Sequence, residues 1–299
     1  MENNNPDTEF ATKAVHSGML EIEGAASTPI FLSSTYRLTD EKYKGWAEGL
    51  HHSVVYSRIS SINSEVVSAK LAALEGAEDA EVFSSGMAAI STTLLTLLSK
   101  GDHIIATPDC YGGTYALLTD ILPRMGIEVT MADIRDPSSY EQAIQENTKV
   151  LYVETMTNPT LKVCDLSAMA ELAKENNLIS VVDNTFVSPW SCNPIEMGFD
   201  IVIHSGTKYL GGHSDLTAGF VAGKKTLVAE IFHNKIYLGG AADPHMCYLL
   251  ERGMRTLHAR MPIHASNSAE IAKRLAVSYT HLRAHETRGN LVCRLLLEK

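Results

Sequence analysis

The chain has 299 residues, 45% of them apolar and 20% charged, with 20 Gly and 10 Pro. That is an ordinary globular composition, long enough for roughly two domains, and it sets aside fibrous, collagen-like and wholly disordered architectures. The net charge of −10 argues against a nucleic-acid backbone or an anionic membrane surface as partner, since both select basic patches.

The amino end, MENNNPDTEF, has no basic segment followed by an apolar one, and nowhere does an apolar run approach the roughly 18 residues of a membrane span. Neither export nor membrane insertion is expected. Residues 1–60 are rich in Gly, Ser and Thr with little periodicity, and read as an arm wrapped on something else. Ser64 is positioned to cap a helix whose Val67, Leu71 and Leu74 share a face and which Gly76 ends.

From there, short apolar runs at 80–83, 103–106, 128–131, 150–154, 179–183, 201–204 and 219–222 predict strands. Helical patterns at 87–98, 114–122, 138–145 and 166–175 fall between several of them. The runs at 150, 179 and 201 are almost wholly apolar, as strands buried on both faces are. The expected fold class is therefore α/β, with a mostly parallel seven-stranded sheet and helices on both faces. Cys110, Cys164, Cys192, Cys247 and Cys293 are odd in number, scattered and without metal-ligand spacing. They read as reduced thiols of a cytoplasmic protein, with no metal site.

Ligands of open parallel sheets bind beyond the carboxyl ends of the strands, so polar residues directly after apolar runs are the first candidates. After the first run, Ser84-Ser85-Gly86-Met87 opens a helix, whose free N–H groups suit a phosphate, although such a start serves equally as a plain cap. Glu154 and Asn158 follow the fourth run. Asp183 closes LISVVD, where a partly desolvated carboxylate needs a cation or an N–H, and residues 184–190 do not read as a helix for it to cap. Lys208 follows DIVIHS, between the hydroxyls of Ser205 and Thr207 and the pair Gly211-Gly212. A lone lysine is most often a solvated charge, but this setting fits a Schiff-base amine beside a phosphate cup. Tyr111, before Gly112-Gly113, is a flat group able to hold a ring, or simply a packed aromatic beside a turn. Lysine, acid, phosphate cup and flat group together are what pyridoxal 5'-phosphate requires of a protein.

The motifs VHSG, TPI, YSR, SSGMAAI, CYGGTY, ETMTNP, VVDNTF and HSGTKYLGGHSD occur in that order between Thr12 and Ala276. Their series resembles the Cys/Met-metabolism family of pyridoxal-phosphate-dependent enzymes, which includes methionine and cystathionine γ-lyases, cystathionine γ-synthase and O-acetylhomoserine sulfhydrylase. The resemblance implies the fold type I architecture, with a large cofactor-binding domain at 61–255 and, at 256–276, the start of the helix leading to a small carboxyl-terminal domain. By the same resemblance Lys208 is the Schiff-base lysine and proton shuttle, Asp183 the partner of the pyridine nitrogen, and Tyr111 the stacking residue and acid toward the leaving group. Gly86, Met87, Ser205 and Thr207 form the phosphate cup, with Glu154, Asn158 and Thr185 in the cofactor's surroundings. Tyr56 and Arg58 reach the phosphate from a neighbouring subunit, which implies a homodimer with a composite site, within a homotetramer.

The implied activity is a carbon-sulfur lyase of sulfur amino-acid metabolism, eliminating a thiol from the γ-carbon of a methionine-like or cystathionine-like substrate. A γ-replacement transferase is the alternative. Three departures from the family pattern stand out: Ser61-Ile62-Asn63 where Asn-Pro-Thr is common, Ala116 where cystathionine-handling members often carry Arg, and Gly113 where methionine γ-lyases typically carry Cys. The stretch VSYTHLRAHETRGNLVCRLLLEK at 277–299 follows neither helical nor strand period and carries an excess of basic residues. It is expected to be a non-native tail standing where the small domain and its carboxylate-binding arginine would follow. A chain so shortened could be catalytically inert, with an exposed apolar face.

Overall fold

The computed structural model describes residues 6–47 and 54–276; residues 1–5, 48–53 and the expected tail at 277–299, with Cys293, lie outside them. The amino-terminal region holds helices α1 (Pro6–His16) and α2 (Asp40–Ala47), more regular structure than its weak periodicity predicts. α1 is held by tertiary contact: Ala14 is buried, and the buried Lys70 donates to the carbonyls of Ala14 and Val15 at 2.9 and 3.1 Å, capping that helix.

The next helix, α3 (Ile62–Glu75), starts about one turn earlier than the sequence predicts. Ser61 is its cap, accepting from the Ser64 N–H, while the Ser64 hydroxyl accepts from the Ser61 N–H in return. Ser64 is thus the inner member of a reciprocal pair rather than the cap. Gly76 ends the helix in the left-handed region, φ +66°, where a side chain would be strained.

Strands β1 (Asp79–Phe83), β2 (His103–Ala106), β3 (Glu128–Met131), β4 (Thr148–Glu154), β5 (Ile179–Asp183), β6 (Ile201–Ser205) and β7 (Gly219–Gly223) form one sheet in the order β1-β7-β6-β5-β4-β2-β3. All neighbours are parallel except those of β7, which runs antiparallel to both β1 and β6. Between them lie α4 (Gly86–Leu97), α5 (Gly112–Ala116), α6 (Leu122–Arg124), α7 (Pro137–Ala143), α8 (Leu166–Glu175) and α9 (Ser188–Ser191), followed by α10 (Lys225–Leu238), α11 (Pro244–Arg255) and α12 (Leu257–Ala276).

The helix expected over 114–122 is broken by a π-turn at Leu117–Ile121, where the Leu122 N–H reaches back to Leu117 and Pro123 brings no N–H to continue the ladder. The four-residue α9 lies in the stretch after Asp183 that carries no helical pattern.

Period-two alternation sorts the strand side chains to two covered faces. Val150, Tyr152, Val181, Ile201 and Ile203 pack with Ala89, Ile90 and Leu94 of α4 and Ile231 of α10. Leu151, Val153, Val182 and Val202 point the other way, onto Tyr140 of α7 and Met169 and Ala170 of α8. Beside them, Val82, Phe220 and Ala222 meet Val67 and Leu71 of α3 and Leu250 and Met254 of α11. With both faces occupied, only the strand ends remain for chemistry.

Candidate active site

A cavity of about 810 Å³ opens beyond the carboxyl ends of β4, β5 and β6. The same alternation that fills the core decides what points into it. Glu154, Asp183 and Ser205 end their strands on the α4 face, and Glu154 is paired in register with Asp183.

Of the residues singled out in the sequence, Gly86, Met87, Tyr111, Glu154, Asn158, Asp183, Thr185, Ser205, Thr207 and Lys208 all line this one cavity. Tyr56 and Arg58 do not. Both are exposed, the Arg58 guanidinium lies 5.4 Å from the centre of the Tyr56 ring, and it donates to the Ile236 carbonyl at the end of α10.

One wall is the start of α4. Ser85 caps it, accepting from the Ala88 N–H at 3.1 Å, and by their position in the helix the N–H groups of Gly86 and Met87 have no intrahelical acceptor. Gly86 has a packing reason as well: a Cβ there would stand 2.9 Å from that of Ser205. The helix end and the Ser205 hydroxyl therefore close into one cradle, suited to an anion. The Thr207 hydroxyl is engaged with the Ala218 backbone, and Thr217 with the Ser84 carbonyl, which ties the β6–β7 connection to this wall.

The floor is acidic. Glu154, buried, accepts from the Tyr111 N–H at 2.8 Å and from the Asn158 N–H at 2.9 Å, so it pins the two loops that carry those residues. Burial first, then the neighbouring Asp183, pushes its carboxyl up to about 8. Asp183 is also buried and also raised by desolvation, opposed by its bonds from Thr185 and by the charge of His204. Two carboxyl groups so placed favour a shared cation between the protein and a ligand. Lys208, by contrast, is exposed to the cavity after β6. Cys110, beside Glu154, is no rival nucleophile, because burial pushes its thiol up to about 12.

Tyr111 stands at the start of α5, half-exposed. Gly113 is what lets its ring fold back against the wall: a Cβ at 113 would lie 2.7 Å from Tyr111 Cε1 and 2.9 Å from Met87 Sδ. Sequence reasoning missed Met156, Phe186, Arg260 and His264, which also line the cavity. Arg260 and His264 lie one turn apart on α12, an i,i+4 pair whose common face is a sequence-level signal. Which cavity that face borders is not. His264 meets the Tyr209 ring at 5.4 Å, and Arg260 donates to the Gly253 carbonyl.

Pyridoxal phosphate fits this set on the structure's own terms: an anion cradle, a buried acid at a strand end, an amine and a flat ring converge on one space. The family of Cys/Met-metabolism pyridoxal-phosphate-dependent enzymes matches residues 11–286. The L-methionine γ-lyase of Porphyromonas gingivalis is 41% identical over 269 residues, 88% of this chain and 67% of that protein. A cystathionine β-lyase of Coxiella burnetii is 38% identical over 276 residues, 91% of this chain and 69% of its own. The crystal structure of a cystathionine γ-lyase from Lactobacillus plantarum, complexed with L-serine, superposes with a TM-score of 0.84 at 40% identity, covering 90% of this chain and 69% of that one.

Proposed function

The chain belongs to the Cys/Met-metabolism family of pyridoxal-phosphate-dependent enzymes, and from that premise we propose that it is a carbon-sulfur lyase acting by γ-elimination on a methionine-like or cystathionine-like amino acid. One observation carries the reading: Lys208, Asp183 and the open end of α4 converge on a single cavity. In this reading Lys208 holds the cofactor through its amine, Asp183 faces the ring nitrogen, and Tyr111 covers the ring. The N–H groups of Gly86 and Met87, with Ser205 and Thr207, take the phosphate, while Glu154, Asn158 and Thr185 frame the remainder. When bound, the pyridoxal ring supplies an electron sink for the pair left at the substrate's α-carbon.

The chain's own groups then divide the proton work. Lys208, its amine free once substrate has entered, takes the proton from Cα and a second proton leaves Cβ, whose electron pair expels the thiolate from Cγ; Tyr111 stands at the cavity wall to protonate that thiolate. With water consumed, the products are a 2-oxo acid, ammonia and a thiol. The exposed Tyr56 and Arg58, outside their own cavity, suit a role in the site of a second copy, so the working unit is a homodimer, within a homotetramer. The scattered free thiols support a cytoplasmic setting in this reading, and among the described residues no helix is long and apolar enough to cross a membrane.

The test is product analysis with pyridoxal phosphate added. Methionine is expected to yield 2-oxobutanoate and methanethiol. Pyruvate from cystathionine would replace γ- by β-elimination, and turnover only with O-acetylhomoserine and sulfide would make the protein a transferase. Cofactor binding with no turnover of any of these would mean that the chain as it stands is inert.

A further inference from the structure

The alternation that turns Glu154, Asp183 and Ser205 toward the cavity turns their chain neighbours Thr155, Asn184 and His204 to the opposite side of the sheet. There they meet Glu75, the last residue of α3. His204 Nε2 lies 2.5 Å from Glu75 Oε1, and Asn184 Nδ2 donates to that same oxygen at 3.3 Å. The Thr155 hydroxyl donates to Asn184 Oδ1 at 2.9 Å, and the Thr155 N–H to the Asp183 carbonyl at 3.0 Å. Every member is buried.

Glu75 is in a costly place. It is fully buried, its Oε2 has no hydrogen-bond partner, and it stands at a helix carboxyl end, where the dipole disfavours negative charge. The cap of α3 does not need it, since the Gly76 N–H closes the helix on the Ala72 carbonyl. A buried acid kept against such costs points to a task beyond packing.

We propose that Glu75, His204, Asn184 and Thr155 form a positioning relay behind the sheet that fixes the strand ends carrying Glu154 and Asp183 and sets the charge that Asp183 presents to the cavity. The inference rests on reading that cavity as the pyridoxal phosphate site. His204 is the hinge of the relay: Glu75 orients its ring from α3, and a proton held on that ring opposes the desolvation that otherwise drives Asp183 toward the neutral acid. The other titratable groups that act on Asp183 or share its cavity are Glu154 and Tyr152 on β4, Cys110 and Tyr111 after β2, Lys208 and Tyr209 after β6, and Arg260 and His264 on α12. Of these, Lys208, Arg260 and His264 are bases.

The experiment uses the holoenzyme and the variants Glu75→Gln, His204→Gln and Thr155→Val, with folding checked by thermal melting. Three quantities are read: the pyridoxal phosphate dissociation constant, the pH midpoint of the bound cofactor's visible absorbance, and kcat against KM. Loss of one buried charge partner is expected to weaken cofactor binding about ten-fold and to move the midpoint by about one pH unit in the first two variants. Thr155→Val should give a smaller change of the same sign, with KM within about two-fold throughout. Affinity and midpoint unchanged from wild type in the folded variants overturn the relay. If Glu75→Gln or His204→Gln does not fold, Thr155→Val decides alone, and an unmoved midpoint there overturns it. A wild type that binds no pyridoxal phosphate overturns the site reading itself, and the relay with it.

Discussion

Two buried polar clusters sit at opposite ends of the same sheet, with β4 common to both. At the amino end, His103 of β2 is fully buried, with Nδ1 2.8 Å from the Thr148 hydroxyl of β4 and Nε2 2.8 Å from that of Thr130 in β3. Both ring nitrogens are matched by neutral partners, and burial lowers its pKa, so the ring is neutral and satisfied. At the carboxyl end, Glu154 and Asp183 stand side by side, both held toward the protonated form, and they line the same cavity as Lys208. The contrast separates polar groups that hold a sheet together from polar groups kept under electrostatic tension for chemistry.

The largest effect should come from the carboxyl end. Lys208→Ala is expected to lower turnover by about 10³-fold or more and to abolish the visible band of bound cofactor, with little change in thermal unfolding because the side chain is exposed. Survival of the band would mean that the wrong amine has been assigned. At the amino end the pattern should invert. His103→Ala is expected to cost about 2–4 kcal/mol in urea unfolding, from the cavity and the hydroxyls left unmatched, while the cofactor's affinity stays within about two-fold of wild type. A loss of affinity without loss of stability would erase the distinction between the clusters.

The finest measurement is the pH dependence of the cofactor-free protein. The pKa of Glu154 in the folded chain, about 8, lies above the ordinary 4.5. Between those values the unfolded chain has released a proton that the folded chain keeps, so stability falls as pH rises and levels off above about 8. Glu154 contributes at most about 1.4 kcal/mol per pH unit to that slope, and Asp183 adds to it with the same sign. Glu154→Gln should flatten the slope, whereas His103 variants should leave it in place. Urea titrations over this range check both.

Much of this architecture is legible in the chain itself. The short apolar runs mark all seven strands to within two residues at each end, because a strand covered on both faces has little choice of residue. Ten of the twelve residues singled out for the site line the one cavity, because polar residues directly after buried strands have nowhere else to go. The cap of α3 is Ser61 and not Ser64, since a serine run offers several caps and only the backbone geometry selects one. The amino-terminal helices leave no strong pattern, because the apolar face α1 buries is narrow, Ala14 and Phe10 one turn apart, and Lys70 with the neighbouring helices holds the rest.

The sheet, and the placement of Lys208 and Asp183 at the ends of its strands, follow from the order of residues alone, since they rest on local periodicity and on groups adjacent in the chain. Which distant residues share a space is settled only by the packed fold. Glu75 and His204 are 129 positions apart yet in contact, and Arg260 and His264 join the cavity from a helix with no motif pointing there. Packing of helices on a sheet sets such neighbours through shape and burial, which no window along the chain contains.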